Sequence, residues 1–117
     1  MPYVTGRIIH DADSHLMETD RWLIDHADPA FRDRITPFDT GGGLGDGEGV
    51  DWAAVTCPLH QDPEYRAAED QVLLRKNYHA VGSFEREHRP QALDQLGFAS
   101  QLVFNTFASS ALEAAEH

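Results

Sequence analysis

The chain has 117 residues in which 9 Lys and Arg face 20 Asp and Glu, a formal charge of −11 with histidine neutral. Clustered positive charge is what holds phosphates and displaces their counterions, so this balance excludes a nucleic-acid partner and an anionic membrane surface. A hydrophobic fraction of 41% with six Phe and two Trp is enough for a core, no run nears the roughly 20 apolar residues of a spanning helix, and the length suits one modest domain, well short of the about 250 residues of an eightfold βα barrel.

Taken in chain order, Met1 to Arg7 lack the apolar stretch of a secretory signal, which makes the cytoplasm the expected compartment. Arg7 to Leu16 reads as a strand, with β-branched Ile8 and Ile9 running into a polar end. Thr19 or Asp20 can cap a helix through Trp22, Leu23 and Ile24 to Ala27, which Asp28 and Pro29 stop before a short turn at Phe31. Pro37 to Asp51 is a loop that holds six of the nine glycines, between Gly41 and Gly49, together with Asp46, Glu48 and Asp51. It lacks the Gly-Lys-Ser/Thr ending of a phosphate loop and the ligand spacing of a calcium loop, which leaves a flexible insert or a mobile lid.

Pro58 beside Cys57 indicates a loop. After Pro63, Tyr65, Ala68, Val72, Leu73, Leu74 and Tyr78 recur at three- and four-residue steps, which predicts a long helix ended by Gly82. A further helix starts around Arg89 and Pro90, carries Ala92, Leu93 and Leu96 inward, and stops at Gly97. Phe98 to Phe104 then reads as a mostly buried strand, and Ser109 to Glu116 as an alanine-rich helix. A helix, a tight turn and an apolar strand in that order predict a parallel sheet and an α/β fold. Trp22 and Trp52 are assigned to packing.

Cys57 is the single cysteine, expected to be an inert thiol in a reducing compartment. His10, Asp11, Asp13, His15 and Glu18 put five metal-capable side chains into nine residues. Strand alternation predicts Asp11, Asp13 and His15 on one face, with His10, Ala12 and Ser14 on the other. A carboxylate and an imidazole two residues apart suit Zn²⁺, Mn²⁺ or Fe²⁺ better than Ca²⁺. The same residues also read as a solvated acidic loop carrying chance histidines.

The run Ile8-Ile9-His10-Asp11-Ala12-Asp13-Ser14-His15-Leu16-Met17-Glu18 resembles the opening of the amidohydrolase-2 branch of the amidohydrolase superfamily, which includes the aminocarboxymuconate-semialdehyde decarboxylase-like enzymes. Gly82 to Glu87, Arg89 to Asp94 and Leu96 to Phe104 are similar to that family's helix before the second barrel strand and to the strand itself. The resemblance implies the N-terminal part of a TIM-type (β/α)8 barrel whose metal ion, most simply Zn²⁺, is held by Asp13 and His15. It implies that Asp11 orients those ligands, and that Glu18 touches the ion, a ligating histidine or the substrate; the other reading of Glu18 is a carboxylate favoured at a helix N-terminus. The implied reaction is metal-dependent hydrolysis or decarboxylation, as by a hydrolase or a lyase, of a small carboxylate-bearing organic molecule.

The later barrel strands that would supply the remaining ligands lie beyond this chain's resemblance, so the chain alone is expected to be inactive. His26, His60, His79 and His88 read as surface or internally satisfied side chains, and His117 is terminal. Two expectations follow. The chain is a fragment or truncated member of such an enzyme, partnered by the rest of the barrel or by another copy, or it is a non-catalytic remnant that interacts through an open sheet edge.

Overall fold

The computed structural model describes residues 1–40 and 49–115. Two strands, β1 (His10–His15) and β2 (Ser100–Phe104), pair in parallel as a two-stranded sheet. The pairing extends past the strand ends, from the Ala99 amide to Ile9 O and from the Leu16 amide to Phe104 O, both at 2.8 Å. Parallel neighbours need a long crossover, and the residues between these strands supply it with short helices. The α/β class and the parallel pairing therefore match the reading of the sequence.

The register corrects the predicted alternation. Asp11 pairs with Gln101 and Ser14 with Val103, so three steps on β1 oppose two on β2 and the strand bulges at Ala12 and Asp13. Asp11 and Ser14 thus share a face, while His10 and His15, paired with Ser100 and Phe104, lie on the other. Asp11 Oδ1 accepts the Asp13 amide at 3.0 Å, which satisfies a backbone group that the bulge takes out of the ladder.

Helix α1 (Trp22–His26) follows, with Ile24 buried, but its N-cap is Arg21 without a side-chain cap rather than Thr19 or Asp20. Residues 41–48 lie outside the described residues, and with them most of the glycine-rich lid or insert expected at about 38–51. Where a loop was expected around Cys57 and Pro58, the chain forms α2 (Trp52–Gln61). Asp51 caps it, with Oδ1 accepting the Ala54 amide at 3.0 Å. Pro58 removes one intrahelical hydrogen bond without ending the helix.

The long helix predicted after Pro63 is replaced by α3 (Pro63–Ala67) and two single turns of tighter helix, Glu69–Gln71 and Asn77–His79. Arg75 explains the break: its guanidinium lies 3.4 Å from the Tyr65 ring centroid and its Nη1 donates to Tyr65 O at 2.5 Å. Ten residues of continuous helix would put these two about 15 Å apart, so the contact requires the chain to fold back. Leu73 and Leu74, counted in the apolar stripe, are exposed.

After a tight turn at Arg86–His88, α4 (Arg89–Leu96) ends as predicted at Gly97, whose φ of 74° is left-handed. Strand β2 is less buried than its composition predicts: Leu102, Val103 and Phe104 are 58%, 44% and 44% exposed. A two-stranded sheet is all edge, and among the described residues no third strand pairs with it. Helix α5 (Ala108–Ala115) closes the described chain. The core is small, with Met17, Ala53 and Tyr78 buried against Trp52, Phe84 and Phe107. No helix among the described residues is long and apolar enough to cross a membrane.

Candidate functional site

The C-terminal end of β1 carries the residues singled out from the sequence. His15 Nδ1 lies 3.3 Å from Asn105 O, and since a carbonyl only accepts, Nδ1 holds the proton in this contact. That leaves Nε2 of a neutral ring as a lone pair, and it faces Asp13 Oδ1 at 3.4 Å. Both side chains are solvent-exposed, 50% for His15 and 89% for Asp13, and their facing acceptor atoms form an open pair that a cation can bridge. Ligand atoms about 2.0–2.1 Å from a tetrahedral Zn²⁺ are roughly 3.3 Å apart, so the pair fits a divalent ion with little movement. A backbone carbonyl on the far nitrogen is the usual way a ligating histidine is oriented.

Asp11, expected to orient these two, holds the Asp13 amide with Oδ1 and accepts from Gln101 Nε2 at 3.3 Å with Oδ2. Arg89 braces the same strand end. Its guanidinium donates to Gln101 Oε1 at 3.0 Å and Gly82 O at 3.0 Å, and it also reaches Ser14 Oγ and His15 O. Burial pulls the Arg89 pKa below its ordinary value, against the smaller opposing effect of the Asp11 carboxylate. A cleft of about 450 Å³ opens here, with Asp11, Asp13, Ser14 and His15 on one side and Arg75, Lys76 and Arg89 among its other lining residues.

Glu18 is fully buried, with both oxygens engaged: Oε1 accepts the Thr106 amide at 2.8 Å and Oε2 the Phe107 amide at 2.6 Å. These amides precede α5, so the carboxylate sits at a helix N-terminus, that of α5 instead of the neighbouring α1. It touches neither Asp13 nor His15. Of the five side chains in the His10 to Glu18 run, the fold brings together Asp13 and His15, joins Asp11 to them through the backbone, and turns His10 to Ser100 Oγ at 2.7 Å.

Comparisons with protein-family models, curated proteins and solved structures give no significant match.

A second constellation escaped the sequence. His60, Glu85 and His88 each offer a ligand atom, and these atoms lie within 4.8 Å of one another. His60 Nδ1 is 3.2 Å and His88 Nδ1 2.8 Å from Glu85 Oε2. The other oxygen, Oε1, accepts from Cys57 Sγ at 3.4 Å and Gln61 Nε2 at 3.2 Å. His60 is 0% exposed, stacks on Phe84 at 5.1 Å and has no partner for Nε2. Desolvation lowers its pKa, against the opposing pull of Glu85. Cys57 is shifted up by burial and by Glu85, which keeps it a thiol.

His60 and His88 read in the sequence as surface or internally satisfied side chains, His60 because residues 52–61 do not read as a helix. The signal was present in Asp51 ahead of Trp52-Ala53-Ala54-Val55, a capped helix start that puts Cys57 and His60 on one face at i and i+3. Glu85 and His88 repeat that spacing across the turn before α4.

Proposed function

We propose that the chain supplies the first two strands of an amidohydrolase-2-like (β/α)8 barrel, and that Asp13 and His15 hold a divalent metal ion, Zn²⁺ before Mn²⁺ or Fe²⁺. The observation that carries this reading is the approach of Asp13 Oδ1 to His15 Nε2 at 3.4 Å, with Asn105 O holding the other ring nitrogen. The parent reaction is hydrolysis or decarboxylation of a small carboxylate-bearing molecule. A bound divalent ion there supplies a more acidic water or a polarised substrate oxygen. Arg75, Lys76 and Arg89, three of only nine Lys and Arg in a chain of charge −11, line the adjoining cleft, which favours an anionic substrate. Asp11 acts by positioning Asp13, and Glu18 by anchoring the start of α5. The lone Cys57 agrees with a reducing, cytoplasmic setting.

The test is equilibrium dialysis against Zn²⁺ of the wild-type chain and of the Asp13→Ala/His15→Ala double variant. Both residues are exposed, so the fold is expected to survive the change. Loss of one bound equivalent in the double variant supports the assignment, and unchanged zinc content sinks it.

The exposure of Leu102, Val103 and Phe104 favours a second reading, an interaction module that uses its open sheet edge without catalysis. Sedimentation separates the two: a chain that self-associates and takes up no zinc at Asp13 and His15 is the module.

A further inference from the structure

We propose that His60, Glu85 and His88 form a second, independent Zn²⁺ site that clamps α2 to the entrance of α4. Two imidazoles and one carboxylate are a zinc ligand set, with a fourth position left for water. The three residues come from two segments brought side by side, so an ion held by all of them ties His60 to residues 25 or more positions further along the chain.

The geometry divides the carboxylate into an inner and an outer oxygen. Oε2 faces both imidazole nitrogens; the 3.2 Å to His60 is close to the roughly 3.3 Å that separates two ligands on a tetrahedral zinc, and the 2.8 Å to His88 would open by about 0.5 Å. Oε1 faces away from them and accepts from Cys57 and Gln61, which orient the carboxylate from outside. The thiol therefore belongs to the outer ring of partners.

Two ring nitrogens, His60 Nδ1 and His88 Nδ1, converge on one carboxylate oxygen beside the fully buried His60 ring. A buried imidazole, a second imidazole and a carboxylate that already converge on one point need little rearrangement to take up a metal ion. Glu85 and His88 side chains are each 16% exposed, which leaves an entry path on that side.

The site does not involve Asp13 or His15, so it is tested in the Asp13→Ala/His15→Ala variant, where the cluster is intact and the other candidate site is gone. Equilibrium dialysis of that variant against Zn²⁺ is expected to show one equivalent bound. Ring ¹⁵N spectra should show the Nδ1 resonances of His60 and His88 shifting on zinc addition while that of His26 stays in place. Adding Glu85→Gln should weaken binding at least about tenfold. No zinc on the double variant, or zinc that leaves the His60 and His88 resonances unmoved, overturns the proposal. The spectra decide the matter even if the Glu85→Gln chain fails to fold.

Discussion

Glu18 accepts the amide of Phe107 at 2.6 Å across 89 residues of sequence, with its other oxygen on the Thr106 amide at 2.8 Å. One buried carboxylate thereby joins the segment leaving β1 to the start of α5. Each amide would otherwise be a donor without a partner at a helix entrance.

Glu18→Gln separates charge and acceptor count from size. The amide keeps one oxygen and turns an NH₂ toward a backbone N–H, so a buried donor is left unsatisfied. The expected loss is about 2–3 kcal/mol of unfolding free energy. Urea denaturation monitored by circular dichroism measures it, and an unchanged midpoint would show that the two hydrogen bonds contribute nothing net.

Gly97 closes α4 in a left-handed conformation, and a Cβ there would stand 2.1 Å from Val4 O. The N-terminal segment lies against this turn because the Tyr3 and Val4 amides donate to Gln95 O and Leu96 O at 2.8 and 3.0 Å. Gly97→Ala combines a left-handed penalty with that overlap, so a loss of about 2 kcal/mol or more is expected. Hydrogen exchange provides a local readout: the Tyr3 and Val4 amides should lose protection before the rest of the chain. Full protection of both in the variant contradicts the contact.

Tyr78 gives the protein an alkaline limit. Its hydroxyl is buried and donates to Glu18 O at 2.5 Å, and desolvation pushes its pKa from 10.0 up to about 12. Above pH 10 the unfolded chain releases this proton while the folded chain keeps it, so stability falls as pH rises from about 10 to about 12. Thermal midpoints across that window should decline less steeply in Tyr78→Phe than in wild type, although the variant starts lower for want of the hydrogen bond to Glu18. Equal slopes would place the Tyr78 proton outside the folding equilibrium.

The parts of the fold legible in the chain were those decided locally. Gly97 ends a helix because it alone adopts a positive φ cheaply, and proline next to Arg89 suits a first helical turn, so α4 and the turn into β2 were readable from adjacent residues. The α/β class followed from that helix, turn and strand in sequence. The helix predicted after Pro63 failed because its apolar spacing is not made by one buried face: Leu73 and Leu74 are exposed, and Arg75 folds back onto Tyr65. Helix α2 was obscured by Pro58, which a capped ten-residue helix tolerates at the cost of one hydrogen bond.

By itself the sequence determined the chemical inventory at the end of β1, with Asp13 and His15 two residues apart in a strand, and a net charge of −11. Only the tertiary structure decided which of those groups meet. A bulge between Asp11 and Ser14 is invisible to a period-two reading, yet it moves Asp11 off the face of His15, while Asp13 Oδ1 lies 3.4 Å from His15 Nε2. The meeting of His60 with Glu85 and His88 depends on how α2 packs against a turn 25 residues later, a distance over which local propensity carries no information. Glu18 shows the same division: a carboxylate at a helix N-terminus was legible as chemistry, and which helix it serves was set by packing 88 residues away.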